Sequence, residues 1–201
     1  MKLILYSNPE NGVLEKIEKD IFPKTMRIVF GYMPADGKNP KPQDTEYWQR
    51  MAQKHNAEFV YIDNSRTPNK GQLKEIMTIT SLAIMGGNVF NLLFNLQKFG
   101  FDDVIKKLSK KSGFVYSGYG AGSIIVAPDI RIAAKEQGFS SRSDENNIGV
   151  KDTKGLGLID FEILPHYDKK KDKAKLDEYC SKYNVKVVPI TNTQVKVVNI
   201  K

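Results

Sequence analysis

The residues of this chain best spaced for chemistry are Gly118-Tyr119-Gly120-Ala121-Gly122. The apolar run Gly113–Tyr116 before them reads as a buried strand, and the small apolar segment Ala121–Ala127 after them reads as a helix. Strand, sharp turn and helix make the geometry of a nucleophile elbow, whose pattern is G-x-S-x-G. The flanking glycines fit the crowding of strand against helix. The central residue of an elbow holds a strained backbone with φ > 0, which glycine adopts without steric cost. Gly120 therefore keeps the elbow and removes its attacking atom. The same residues also fit an ordinary glycine-rich turn or a phosphate-binding loop at a helix N-terminus.

Two further polar segments follow apolar runs. Gly86-Gly87-Asn88 leaves backbone N–H groups free to face a ligand, and Asn88 can cap the helix that follows. Pro165-His166-Tyr167-Asp168 ends the run Leu156–Leu164. His55, the other histidine, falls in the last turn of a helix bearing Tyr47, Trp48, Met51 and Ala52, where it suits the helix dipole and reads as surface structure. Cys180 lies on the apolar stripe Leu176, Tyr179, Cys180, Tyr183 and reads as a small core residue.

The elements that must position these groups alternate. Strands are expected at Lys2–Tyr6, Met26–Phe30, Glu58–Asp63, Leu82–Met85, Gly113–Tyr116, Ile130–Ala134 and Leu156–Leu164, with Val185–Pro189 and Gln194–Ile200 as a closing strand pair. Helices are expected at Val13–Ile21, after a cap at Asp44 or Thr45, at Lys70–Thr78, after Asn88, at Phe101–Leu108, at Ala121–Ala127 and at Asp172–Tyr183. Ala35–Gln43 reads as a loop at a strand end, and Lys135–Lys154 as a polar surface excursion. Alternation of this kind implies a three-layer α/β fold, a mostly parallel sheet with helices on both faces. Ligands bind beyond the carboxyl ends of such strands, where the three polar segments would meet. No repeat or linker divides residues 1–201, so one domain is expected.

Composition narrows the function. At 40% hydrophobic and 27% charged the chain is ordinary for a globular protein, and no apolar run would span a bilayer. One cysteine and two separated histidines offer no disulfide framework and no metal cluster. The net charge of +8 is spread along the whole chain, which points to a lysine-rich surface and away from a nucleic-acid face. The expectations are a cytoplasmic protein with no cofactor and no nucleic-acid or membrane partner. It would act as a monomer or homodimer.

Taken together, Gly86-Gly87-Asn88-Val89-Phe90-Asn91-Leu92-Leu93, Gly118–Gly122, Gly155-Leu156-Gly157-Leu158 and Pro165-His166-Tyr167 resemble the dipeptidase E family. This is the aspartyl dipeptidase family of serine peptidases, related to cyanophycinase and built on a fold like that of class I glutamine amidotransferases. The order and spacing of its motifs match over nearly the whole chain. The resemblance implies that Gly120 stands at the nucleophile position and that His166 is the base. It implies an oxyanion hole formed by the N–H groups of Gly87 and Ala121, with Gly86, Asn88 and Tyr119 lining the substrate site. Dipeptidase E carries its third catalytic group in an Asn-Asp-Met-Pro segment fifteen residues past the serine. That segment is absent here, and the count lands on Lys135, beside Glu136. Glu136 is the candidate acid, with Asp129 and Asp144 as alternatives. Ser117 and Ser123 flank the elbow tip and are expected to make local hydrogen bonds. The implied activity is hydrolysis of short peptides, possible substrates including those with N-terminal aspartate, lost or nearly lost through an engineered or natural Ser→Gly change. A non-catalytic peptide-binding or regulatory protein on the same fold is the alternative. An amidotransferase-like or phosphate-binding protein stands further off, since amidotransferase chemistry needs a cysteine at the elbow.

Overall fold

The computed structural model describes residues 1–10, 12–24, 27–37 and 42–200. Six strands form the main sheet: β1 (Lys2–Tyr6), β2 (Val29–Met33), β3 (Glu58–Tyr61), β4 (Ser81–Ile84), β5 (Val115–Tyr119) and, late in the chain, β8 (Val195–Asn199). Their order is β3-β2-β4-β5-β1-β8, parallel except for the antiparallel edge pair β1–β8. Two more strands, β6 (Glu162–Pro165) and β7 (Val187–Ile190), pair in parallel as a separate small sheet.

Strands covered on both faces need apolar residues at every position, and β1 shows the consequence. Leu3 and Leu5 point into one core, Ile4 and Tyr6 into the other. On the second face lie α1 (Val13–Ile21) and α2 (Pro42–Lys54), through Val13, Ile17, Ile21, Trp48 and Ala52. The first face is covered by α4 (Val89–Phe99), α5 (Phe101–Ser109) and the short α6 (Ala121–Ile124), after α3 (Lys70–Ile76) at one side. The last helix, α7 (Lys169–Tyr183), packs through Leu176 and Tyr179. This is the three-layer α/β arrangement expected. Among the described residues no helix is long and apolar enough to cross a membrane.

Several elements differ from expectation, each for a local reason. β2 runs to Met33, and Met26 lies outside the described residues. So do Lys38–Lys41 of the expected loop. α2 already starts at Pro42, a residue preorganised for a first helical turn, so Asp44 sits inside that turn and does not cap it. Ile130–Ala134 is not a strand. Asp129 accepts the Arg131 N–H at 2.8 Å, and the chain coils into a 3₁₀ turn over Arg131–Ala133. Only the end of Leu156–Leu164 is a strand. Leu156 and Leu158 donate instead to the carbonyls of Ile125 and Val126, just past the elbow. The two closing strands do not pair with each other: β7 joins β6, while β8 covers the open edge of β1. Lys135–Lys154 is no loose excursion, because Asp144 accepts the Val89 N–H at the start of α4.

Candidate active site

The parallel register Ala83↔Ser117, Ile84↔Gly118 and Tyr6↔Tyr119 brings the carboxyl ends of β4, β5 and β1 side by side. The glycine segments therefore leave the sheet at one place. At the elbow, Gly118 and Gly122 have no space for a side chain. A Cβ on Gly118 would lie 2.3 Å from the Gly122 oxygen, and one on Gly122 would lie 2.1 Å from the Ile84 oxygen. Gly120 differs. Its φ of 52° and ψ of −107° are the strained backbone of an elbow tip, and a Cβ there would stand 3.5 Å from its nearest neighbour, the Gly86 Cα. That Cβ would also lie 3.8 Å from His166 Nε2 and 4.0 Å from Arg142 Nη1. A side chain at Gly120 would therefore stand beside the His166 ring.

His166 follows β6 directly, with φ of 59°, an uncommon conformation for a residue with a side chain. Its N–H donates to Ser7 Oγ at 2.9 Å, and that hydroxyl donates in turn to the Ile190 carbonyl at 2.8 Å. The register Pro165↔Ile190 puts the residues after β6 and β7 at the same end, and Asn192 Oδ1 meets His166 Nδ1 at 2.7 Å. With the amide oxygen facing it, Nδ1 carries the hydrogen and Nε2 presents its lone pair toward Gly120. Burial depresses the His166 pKa below the ordinary imidazole value. The Asn192 bond opposes this, Arg142 adds to it, and Asp144 opposes it. The shift favours the neutral ring.

The candidate acids lie elsewhere. Glu136 is exposed on a 3₁₀ turn, Lys135–Gln137, and Lys135 pairs with Glu145 at 2.8 Å. Asp129 is held by Arg131. Asp144 bonds Arg142 at 2.5 Å and reaches His166 only through its field. The group that touches His166 Nδ1 is Asn192, which carries no charge.

Among the other expected residues, Ala121 and Gly87 direct N–H groups that meet no acceptor among the described residues. Asn88 caps α4, its oxygen accepting from Phe90 and Asn91, while its amide donates to the Glu145 carbonyl. Both ends of that side chain serve the fold. Gly86 lies against the Tyr119 ring, which stacks on Tyr6 with centroids 6.0 Å apart. Ser123 is buried, its hydroxyl bonded to the backbone of Tyr6 and Gly118. Ser117 is buried in β5. His55 is no surface group: it stacks on Phe22 at 4.6 Å and meets Glu18 at 2.6 Å. Burial raises the Cys180 thiol, which sits half-buried on α7.

Sequence reading missed Asn192 and Arg142. Arg142 Nη2 donates to the Gly87 carbonyl at 2.6 Å and pairs with Asp144. It thereby fixes the peptide after Gly87 and leaves Nη1 aimed at the Gly120 tip.

Similar architecture is found in a crystal structure from Listeria monocytogenes EGD-e, of a protein described provisionally as a peptidase E. It is 21% identical with a TM-score of 0.68, covering 100% of this chain and 98% of the other. A peptidase from an acI-B1 Actinobacterium is 14% identical with a TM-score of 0.67, covering 98% and 83%. In sequence, the uncharacterized peptidase Lmo0363 of Listeria monocytogenes serovar 1/2a (strain ATCC BAA-679 / EGD-e) is 33% identical over 111 residues, 54% of this chain. The match covers 51% of that protein, so the chain spans about half the length of the curated relative it matches. The profile of Peptidase family S51 matches residues 7–199, and the chain belongs to that family.

Proposed function

We propose that this chain is a dipeptidase E-like serine peptidase scaffold, one domain over residues 1–201, whose nucleophile position is held by Gly120. As written it binds short peptides and hydrolyses them hardly at all. The carrying observation is the contrast within the elbow: Gly118 and Gly122 have no room for a Cβ, whereas Gly120 has room and faces His166 Nε2. A serine there would give its proton to Nε2 as it attacked, and the N–H groups of Ala121 and Gly87 would hold the oxyanion. Glycine supplies no attacking atom. What survives is binding and the oxyanion donors, with a loss of several orders of magnitude in rate.

One observation favours the second reading, a non-catalytic peptide-binding or regulatory protein. Asn192 at the third position orients the imidazole but adds no negative charge to stabilise its protonated form. The test compares the chain with Gly120→Ser on a panel of aspartyl and other dipeptides, together with labelling by a serine-directed fluorophosphonate. Labelling and turnover appearing only in the variant support the peptidase scaffold. A folded Gly120→Ser variant that neither labels nor cleaves sinks it in favour of the binding reading.

A further inference from the structure

The elbow tip is faced from two separate stretches of chain. Arg142 reaches it from the polar excursion after the 3₁₀ turns, and His166 from the end of β6. A Cβ at Gly120 would lie 3.8 Å from His166 Nε2 and 4.0 Å from Arg142 Nη1, so the site exists only while these two groups keep their spacing.

Asp172, in the first turn of α7, holds both stretches. Its Oδ1 accepts the Ser140 N–H at 2.8 Å and the Ser140 hydroxyl at 2.7 Å. Its Oδ2 accepts the Asp168 N–H at 3.2 Å. Ser140 stands two residues before Arg142, and Asp168 two residues after His166. One carboxylate thus ties the arm of the guanidinium to the arm of the imidazole. Beside Ser140, the Phe139 ring meets Tyr179 edge-on with centroids 5.7 Å apart, so α7 grips the first arm at a second point.

The carboxylate is 1% exposed, and its partners are N–H and O–H groups, not a cation. Burying such a group is costly unless hydrogen bonds replace its water. Burial works to raise the Asp172 pKa. The bonds it accepts, that of the Ser140 hydroxyl first among them, outweigh burial and hold it below the ordinary carboxyl value. It therefore stays ionised, and its bonds are charge-assisted. Packing alone calls for no charge here, because Leu176 and Tyr179 already seat α7 on the core.

We infer that Asp172 is a positioning residue of the site, holding Arg142 and His166 at their spacing across the Gly120 tip. This rests on the reading of His166 as the base, but its first test needs no activity. The chain has two histidines, and NMR titration follows both. His55, stacked on Phe22, is the internal reference. In Asp172→Asn the amide cannot accept from both arms. One arm loosens, the burial of His166 falls, and its pKa rises toward the ordinary 6.5 while that of His55 stays. Ser140→Ala takes one bond from one arm and should move His166 the same way, less far; it carries the test if Asp172→Asn does not fold. Tyr179→Phe removes the bond to Glu162 from the same helix, keeps the ring against Phe139, and should leave His166 where it is. His166 unmoved in the folded Asp172 and Ser140 variants, or moved as far by Tyr179→Phe, overturns the positioning role. In a Gly120→Ser background, Asp172→Asn should slow fluorophosphonate labelling at least about tenfold. Equal labelling there overturns the positioning role and leaves the peptidase reading intact. No labelling in either, with His166 shifted as expected, upholds the role and counts against the peptidase reading.

Discussion

The two sides of the site are built in different ways. The elbow side belongs to the main sheet, where parallel register and two glycines without room for a Cβ fix the turn. The histidine side stands on a two-stranded sheet of its own, is joined to β1 through Ser7, and holds a residue with a side chain at positive φ. Strain of that kind persists only where the surroundings enforce it. On the proposed reading each side has its geometry without a chemical group: Gly120 has no side chain to attack with, and Asn192 beside His166 carries no charge. Position and reactivity are therefore separable here, and each side can be altered without the other.

The largest expected effect comes from supplying both groups. Gly120→Ser with Asn192→Asp should exceed Gly120→Ser alone by about 10³–10⁴-fold in kcat/KM on dipeptides, the usual worth of a charged third member. Equal rates for the two would show that Asn192 already does the whole work of orienting His166. Next comes stability at the elbow. Gly122→Ala drives a methyl to 2.1 Å from the Ile84 oxygen and should cost about 3 kcal/mol or more in urea unfolding. Gly120→Ala carries only the positive-φ strain, about 1–2 kcal/mol. If the two cost the same, the tip is no side-chain position. On the histidine side, Ser7→Ala strips the partner from the His166 N–H and the Ile190 carbonyl, and should cost about 2 kcal/mol. In the doubly restored enzyme the same change should lower kcat more than it raises KM. The smallest effect is in pH. The base must be neutral to act, so the activity of the Gly120→Ser variant rises with pH through the His166 pKa. Burial lowers that pKa, placing the acid limb of the profile below the ordinary 6.5. An acid limb above 6.5 would mean that the ring is not held as described.

Local order carried the legible part of the molecule. β1 and α1 match their expected spans, because a continuous apolar run and a helical stripe each state their own period. The Asn88 cap could be read for the same reason, since side chain and recipient N–H groups lie within three residues. Asn192 could not. It belongs to no motif, and its place beside His166 comes from the β6–β7 register, which no short window contains. Arg142 was hidden in a polar stretch with weak periodicity, and so was the part Asp144 plays there, because the contacts of both are to α4 and the Gly87 carbonyl far upstream. The pairing of β8 with β1 is likewise a choice between open edges, made by the assembled sheet.

The Ser7 hydroxyl joins the end of the first strand to residues 159 and 183 positions later. This sets an order of events in synthesis. A growing chain completes its elbow well before His166 exists; His166 then finds Ser7 already made, while the strand β7 beside it and Asn192 have still to follow. The contact between Asn192 and the His166 ring thus forms only with the last strands of the chain.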